Sequence, residues 1–175
     1  EFDNSFITKE NDIMEIYMLK TAWYSVIGPF LLGMSLNNYS DYELNKMEEI
    51  LMLLGIGFQV KDDILGIFGD ENNLGKTCSD ISEYKQTILY SYVSEKKKEY
   101  FDELRKVYGD SDINEEKIKK VKDIFIKSGA LDYANDVLKN MFKNAKSKLN
   151  DIDFIDEKYK NILYGFIIYL ELREK

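Results

Sequence analysis

Apolar positions along this chain recur at steps of three and four, the spacing of one helix face, with no run of strand-like alternation. Ile13, Ile16, Tyr17, Lys20, Tyr24 and Ile27 follow helical steps behind a cap at Asn11 or Thr8, and predict a helix over residues 11–37. Residues 21–40 carry no charge, but Thr21, Ser25, Gly28, Pro29, Gly33, Ser35, Asn37 and Asn38 interrupt them. The apolar runs left over are short beside the ~20 residues a membrane span needs, so a core helix kinked at Pro29 is expected instead of a transmembrane span. Ser40 and Glu43 have the spacing of a capping box and open a second helix. Its stripe is Leu44, Met47, Leu51, Leu54 and Phe58, continued by Gln59, Asp62 and Asp63. Gly66, Gly69, Asn72, Asn73 and Gly75 are expected to end it in a turn-rich loop.

Further along, Ile88, Leu89, Tyr92, Val93 and Tyr100 predict a helix over residues 87–108, with Lys96 to Lys98 as a solvated face. Residues 109–114 read as a turn. Asn114 then caps a helix over 115–127 that turns Ile118, Val121, Ile124 and Phe125 inward. Ser128-Gly129 is a break, followed by helices over 130–149 and about 155–170. The pattern is that of an all-α helical bundle.

Composition narrows the chemistry. The 175 residues are 45% hydrophobic and 14% aromatic, enough for one domain with a sizeable core. A net charge of −8 disfavours a nucleic-acid partner, while an anionic substrate stays open if metals and local lysines invert the field. With no histidine, no side chain has an ordinary pKa near neutrality, which disfavours hydrolase triads and zinc sites. Cys78 is the lone cysteine and no basic leader precedes the first helix, so a cytoplasmic setting is expected.

Against that background the acids stand out. Residues three and four apart on a helix sit roughly 5–6 Å apart on one face, so Gln59, Asp62 and Asp63 project together beyond Phe58. Adjacent carboxylates beside an apolar stripe need compensation, and a hard cation such as magnesium supplies it. A glycine-punctuated loop and then Lys76, Asp80, Lys85 and Thr87 follow. Carboxylates, loop and lysines suit a metal-bound diphosphate, the lysines neutralising its outer oxygens. Taken singly, each residue has a blander reading: exposed acids at a helix end, lysines in water.

The string FQVKDDILGIFGD…LGK…SDISEYKQT resembles the second aspartate-rich region of the trans-isoprenyl (polyprenyl) diphosphate synthases, approximately FQxxDDxxD followed by GD, GK, SD and EGKxT. IYMLKTAWYSVIGPFLLG is similar to that family's KTA helix, and SGALDYANDVLKNMFKNAKSKL to a later one. One departure stands in the motif: Gly66 occupies the place of the last aspartate, and Asp70 matches the Gly-Asp that follows. Asp3 is the candidate for an aspartate that the family carries ahead of the next helix.

The resemblance implies the isoprenoid synthase fold, with the chain as the C-terminal portion of a single synthase domain whose N-terminal helices are missing here. It implies a magnesium-dependent, homodimeric prenyltransferase that condenses isopentenyl diphosphate with an allylic diphosphate into a geranyl, farnesyl, geranylgeranyl or longer product. Lys20 and Asp62 are then catalytic; Lys20, Thr21, Gln59 and Lys76 bind the allylic diphosphate, Lys76 being preferred to Lys85; Asp62 and Asp63 hold metal. The family's first DDxxD motif has no counterpart in these residues, so the span alone is expected to be inactive. A non-catalytic, synthase-like subunit that regulates an active partner is the alternative. A terpene cyclase is a weaker one, since GK and EYKQT are synthase features.

Overall fold

The computed structural model describes residues 9–69 and 79–173, and among them all regular structure is helical. In chain order these are α1 (Glu10–Ile16), a π-helical segment (Tyr17–Ile27), α2 (Gly28–Ser35), α3 (Asp41–Phe68), α4 (Ser79–Ser82), α5 (Ile88–Lys96), α6 (Lys98–Leu104), α7 (Glu115–Lys127), α8 (Ala130–Asp151) and α9 (Glu157–Leu172). Asp3, Asp70, Lys76 and Cys78 lie outside the described residues. No helix among those described is long and apolar enough to cross a membrane.

Caps behave as their residue types dictate. The Ser40 amide and hydroxyl both donate to the Glu43 carboxylate at 2.7 Å, and the Glu43 amide donates to Ser40 Oγ at 3.4 Å, a closed capping box at the head of α3. The hydrogen bonds from the Ser40 side chain and backbone hold the Glu43 carboxyl below its ordinary range. Thr87 accepts from the Tyr90 amide and Asn114 from the Lys117 amide, so α5 and α7 start where the sequence places them. Gly129 ends the turn before α8 at φ +81°, a conformation that costs glycine little.

The contacts divide the chain into two compact units. One joins Val60–Asp136 to the stretch ending at Met14. Its core is rich in aromatic rings: Tyr84, Tyr90, Tyr108, Phe101 and Phe125 meet mostly edge to face, at centroid distances of 5.1–6.1 Å. The Tyr84 and Tyr90 hydroxyls share a 2.7 Å hydrogen bond. The other unit comprises Glu15–Gln59 and Val137–Arg173. There Met47, Leu51 and Leu54 of the α3 stripe are buried with Phe142, Ala145 and Leu149. A Cβ at Gly57 would lie 2.6 Å from the Phe142 ring, so the small residue admits the large one.

Four sequence expectations need revision. The stretch through Pro29 is not one continuous α-helix: it widens ahead of the proline into the π segment, in which the Gly28 amide donates to the Trp23 carbonyl. Proline has no N–H to give and its ring crowds the carbonyl four residues back, a conflict that the wider register relieves. Gly66 does not end α3, which continues to Phe68. The helix expected over 87–108 breaks at Lys97, where φ −136° and ψ 62° leave the helical region. That break sets α6 so that Phe101 meets the Tyr90 ring. Lys96 is not merely solvated: it pairs with Glu10 at 3.2 Å and lies over the Tyr92 and Tyr133 rings.

Candidate functional site

In the unit built from Glu15–Gln59 and Val137–Arg173, the π segment lies against α3 because Gly55 has no side chain. A Cβ there would stand 2.5 Å from Ala22 Cα. One turn further along α3, Thr21 Oγ1 donates to Gln59 Oε1 at 2.6 Å. Thr21 is buried, Gln59 half-buried and Lys20 exposed. Two residues assigned to diphosphate binding are thus joined directly, and the third stands beside them in sequence with its ammonium in water. Arg173, just past α9, lies over the Phe58 ring at 5.3 Å.

In the unit built around Val60–Asp136, the two motif acids differ. Asp62 is half-buried, whereas Asp63 is fully buried. Lys85 Nζ approaches Asp63 Oδ1 at 3.1 Å and Asp80 Oδ2 at 2.8 Å, so one ammonium bridges two carboxylates. The backbone of Lys85 is held as well: its amide donates to the Asp80 carbonyl at 2.9 Å, and the Tyr108 hydroxyl donates to its carbonyl at 2.7 Å. Burial alone would depress Lys85, but the charges of Asp63 and Asp80 outweigh it and raise its pKa above the usual lysine range. Burial, with those same two carboxylates nearby, raises Tyr108 well above the usual phenol range.

Lys85 and Asp80 are the residues that spacing alone undervalued. Their segment, SDISEYK, is too short to offer a helical face to read, and their partner Asp63 stands well back along the chain, on α3. Among the described residues no group of three acids is arranged to hold a metal ion. Asp63 is committed to Lys85, and Asp62 is the motif carboxylate that reaches solvent. A carboxylate oxygen such as that of Asp62 is the type of ligand magnesium takes, as one contribution to a larger coordination shell.

A family model described as "Polyprenyl synthetase" matches residues 1–125. A geranylgeranyl diphosphate synthase of Sulfolobus acidocaldarius is 36% identical over 160 residues, covering 87% of this chain and 46% of the relative. A geranylfarnesyl diphosphate synthase of Aeropyrum pernix is 32% identical over 177 residues, covering 99% of this chain and 54% of the relative. Among solved structures, a geranylgeranyl pyrophosphate synthase of Corynebacterium glutamicum, complexed with isoprenyl diphosphate and magnesium, superposes with a TM-score of 0.83 at 25% identity, covering 92% of this chain and 46% of that one. The chain spans about half the length of the relatives it matches. With the family model matching well over half its residues and the helical fold shared with solved synthases, the chain belongs to the polyprenyl synthetase family.

Proposed function

We propose that the intact protein is a trans-prenyltransferase that joins isopentenyl diphosphate to an allylic diphosphate, and that this chain is the C-terminal portion of its one catalytic domain. The observation carrying the reading is the Thr21–Gln59 hydrogen bond, which ties the KTA helix to the FQ of the acidic motif. The half-length coverage of synthase relatives supports the placement within a longer domain. Magnesium binding, a homodimer and a cytoplasmic setting belong to the same proposal. Magnesium appears with isoprenyl diphosphate in the Corynebacterium glutamicum structure, and the lone Cys78 suits a reducing compartment.

In this reading Lys20 offers its exposed ammonium to the allylic diphosphate, while Thr21 and Gln59 fix the wall beside it and Lys76 neutralises outer oxygens. Asp62 and Asp63 are the motif acids, Asp62 giving an oxygen to magnesium. Magnesium, when bound, withdraws charge from the diphosphate and makes it a better leaving group. The family resemblance implies that the departing diphosphate takes the proton lost after condensation, which fits a stretch of chain without histidine.

The test is an assay of the full-length gene product with labelled isopentenyl diphosphate, geranyl or farnesyl diphosphate and magnesium. Elongated product that disappears in Asp62→Ala is expected. No turnover by properly folded full-length protein would overturn the enzyme reading and leave the regulatory subunit as the better account.

A further inference from the structure

α9 carries two apolar faces, and the described residues cover one of them. Leu163, Ile167 and Leu170 are buried. Tyr159, Ile162, Phe166 and Tyr169, at steps of three, four and three, form a second stripe roughly 100° round the helix. There Ile162 and Tyr169 are each 59% exposed and Phe166 is 39% exposed. From Asn161 to Leu170 the chain has no charged residue. A helix apolar on so much of its circumference is ordinarily buried, and a contiguous exposed apolar face marks a contact surface. Along the stripe stands Gly165, where a Cβ would meet nothing within 4 Å among the described residues. Glycine weakens a helix interior, and nothing described around it requires one, whereas the close approach of a second helix does.

The stripe also leads to the candidate site. Arg173 follows Tyr169 in step, four residues on, and lies over the Phe58 ring at 5.3 Å. Phe58 adjoins Gln59, which accepts the Thr21 hydroxyl. From Tyr159 to Tyr169 the stripe is about 15 Å long, and backbone laid on an apolar face must satisfy its own polar groups. A helix of at least about ten residues meets both conditions. The chain spans 46% and 54% of two synthase relatives, so about as much polypeptide again lies outside it in a protein of their length.

We propose that this face of α9 seats a helix from the preceding half of the same polypeptide, packed closely at Gly165 and reaching the Thr21–Gln59 wall at its Arg173 end. The unit that carries Thr21 and Gln59 is then completed by chain from the other half, on the side that the stripe leaves open. The proposal rests on reading this chain as the C-terminal portion of a longer domain, and not on the prenyl transfer itself.

Two measurements on the full-length gene product test it. A photo-reactive benzoylphenylalanine is placed at Ile162 and, separately, at Tyr169, and the cross-linked peptides are mapped by mass spectrometry. Both should join, within one molecule, to a single stretch of about ten residues ahead of residue 1. Cross-links to a second copy, to added lipid vesicles, or to nothing would overturn the proposal. Thermal unfolding gives the second reading. In an uncovered helix Gly165→Leu raises the melting point, because leucine is the better helix former, and Ile162→Lys leaves it unchanged. Beneath a packed helix each should instead lower it by at least about 3 °C. Either variant melting at or above the parent would overturn the docking, and if neither folds the cross-links on the parent sequence decide. An inactive gene product that still cross-links within itself keeps the docking and loses only the prenyl transfer.

Discussion

Thr21 donates its hydroxyl proton to the side-chain oxygen of Gln59 at 2.6 Å, one helical turn from the point where Ala22 meets Gly55. The hydrogen bond is thus a consequence of a backbone approach that glycine permits. Thr21→Val keeps the shape and removes the donor. It should lower stability by ~0.5–1.5 kcal/mol, the net value of one such bond. The KM for the allylic diphosphate should rise several-fold, with Thr21→Ser close to the parent. Denaturant unfolding and initial rates of the full-length protein read both effects.

Gly55 and Gly33 make a matched pair. A Cβ at Gly55 would meet backbone at 2.5 Å, whereas a Cβ at Gly33 would meet nothing within 4 Å. Backbone cannot rotate aside as a side-chain tip can, so Gly55→Ala should destabilise by ~1–3 kcal/mol. Gly33→Ala lies in α2 and should be neutral or stabilising by up to ~1 kcal/mol. Equal melting points for the two variants would contradict the contact.

The pH dependence of the Lys85 bridge has a definite sign. Lys85 holds its proton more tightly in the folded chain than a free lysine does. Its contribution is therefore complete below the free-lysine value of about 10.4 and is lost as pH rises through the higher folded value. Lys85→Met leaves Asp63 buried without this partner. The cost should fall toward the lower end of the ~3–5 kcal/mol typical of a broken buried pair, because Lys85 itself reaches solvent. The gap in stability between parent and variant should stay constant from neutral pH to about 10 and shrink above it. A gap that instead widens at alkaline pH would show the bridge to be assigned wrongly.

Lys20 separates stability from activity. Its side chain is exposed, so Lys20→Ala should leave unfolding within about 0.5 kcal/mol of the parent. On the proposed prenyl transfer, in which Lys20 faces the leaving diphosphate, its loss should still reduce kcat/KM by on the order of a hundredfold. A parallel loss of stability would assign Lys20 to packing instead.

Much of the fold was legible because helical spacing, caps and breakers act locally. Ser40-x-x-Glu43, Thr87, Asn114 and Gly129 each do what their residue type favours without help from distant partners. The π segment was not legible, since nothing in the spacing of Tyr17, Lys20, Tyr24 and Ile27 distinguishes a slipped register from an α-helix. Nor was the break at Lys97, which accompanies a tertiary contact between Phe101 and Tyr90 that no local spacing encodes. For the site, order along the chain singled out Gln59 and the acids, but not that Asp63 turns inward to Lys85. That partnership joins segments whose separation no periodicity describes.

The wide register ahead of Pro29 also constrains chimeras. A π-helix takes more residues to complete each turn than an α-helix does, so the stretch Tyr17–Ile27 uses a longer piece of chain for the rotation it delivers. Grafting an ordinary α-helical segment of equal length would over-rotate everything beyond the graft, by about 100° for each surplus residue. Thr21 would then no longer face Gln59, although every residue type at the junction was kept. In this part of the chain, length is as much a determinant of the site as chemistry.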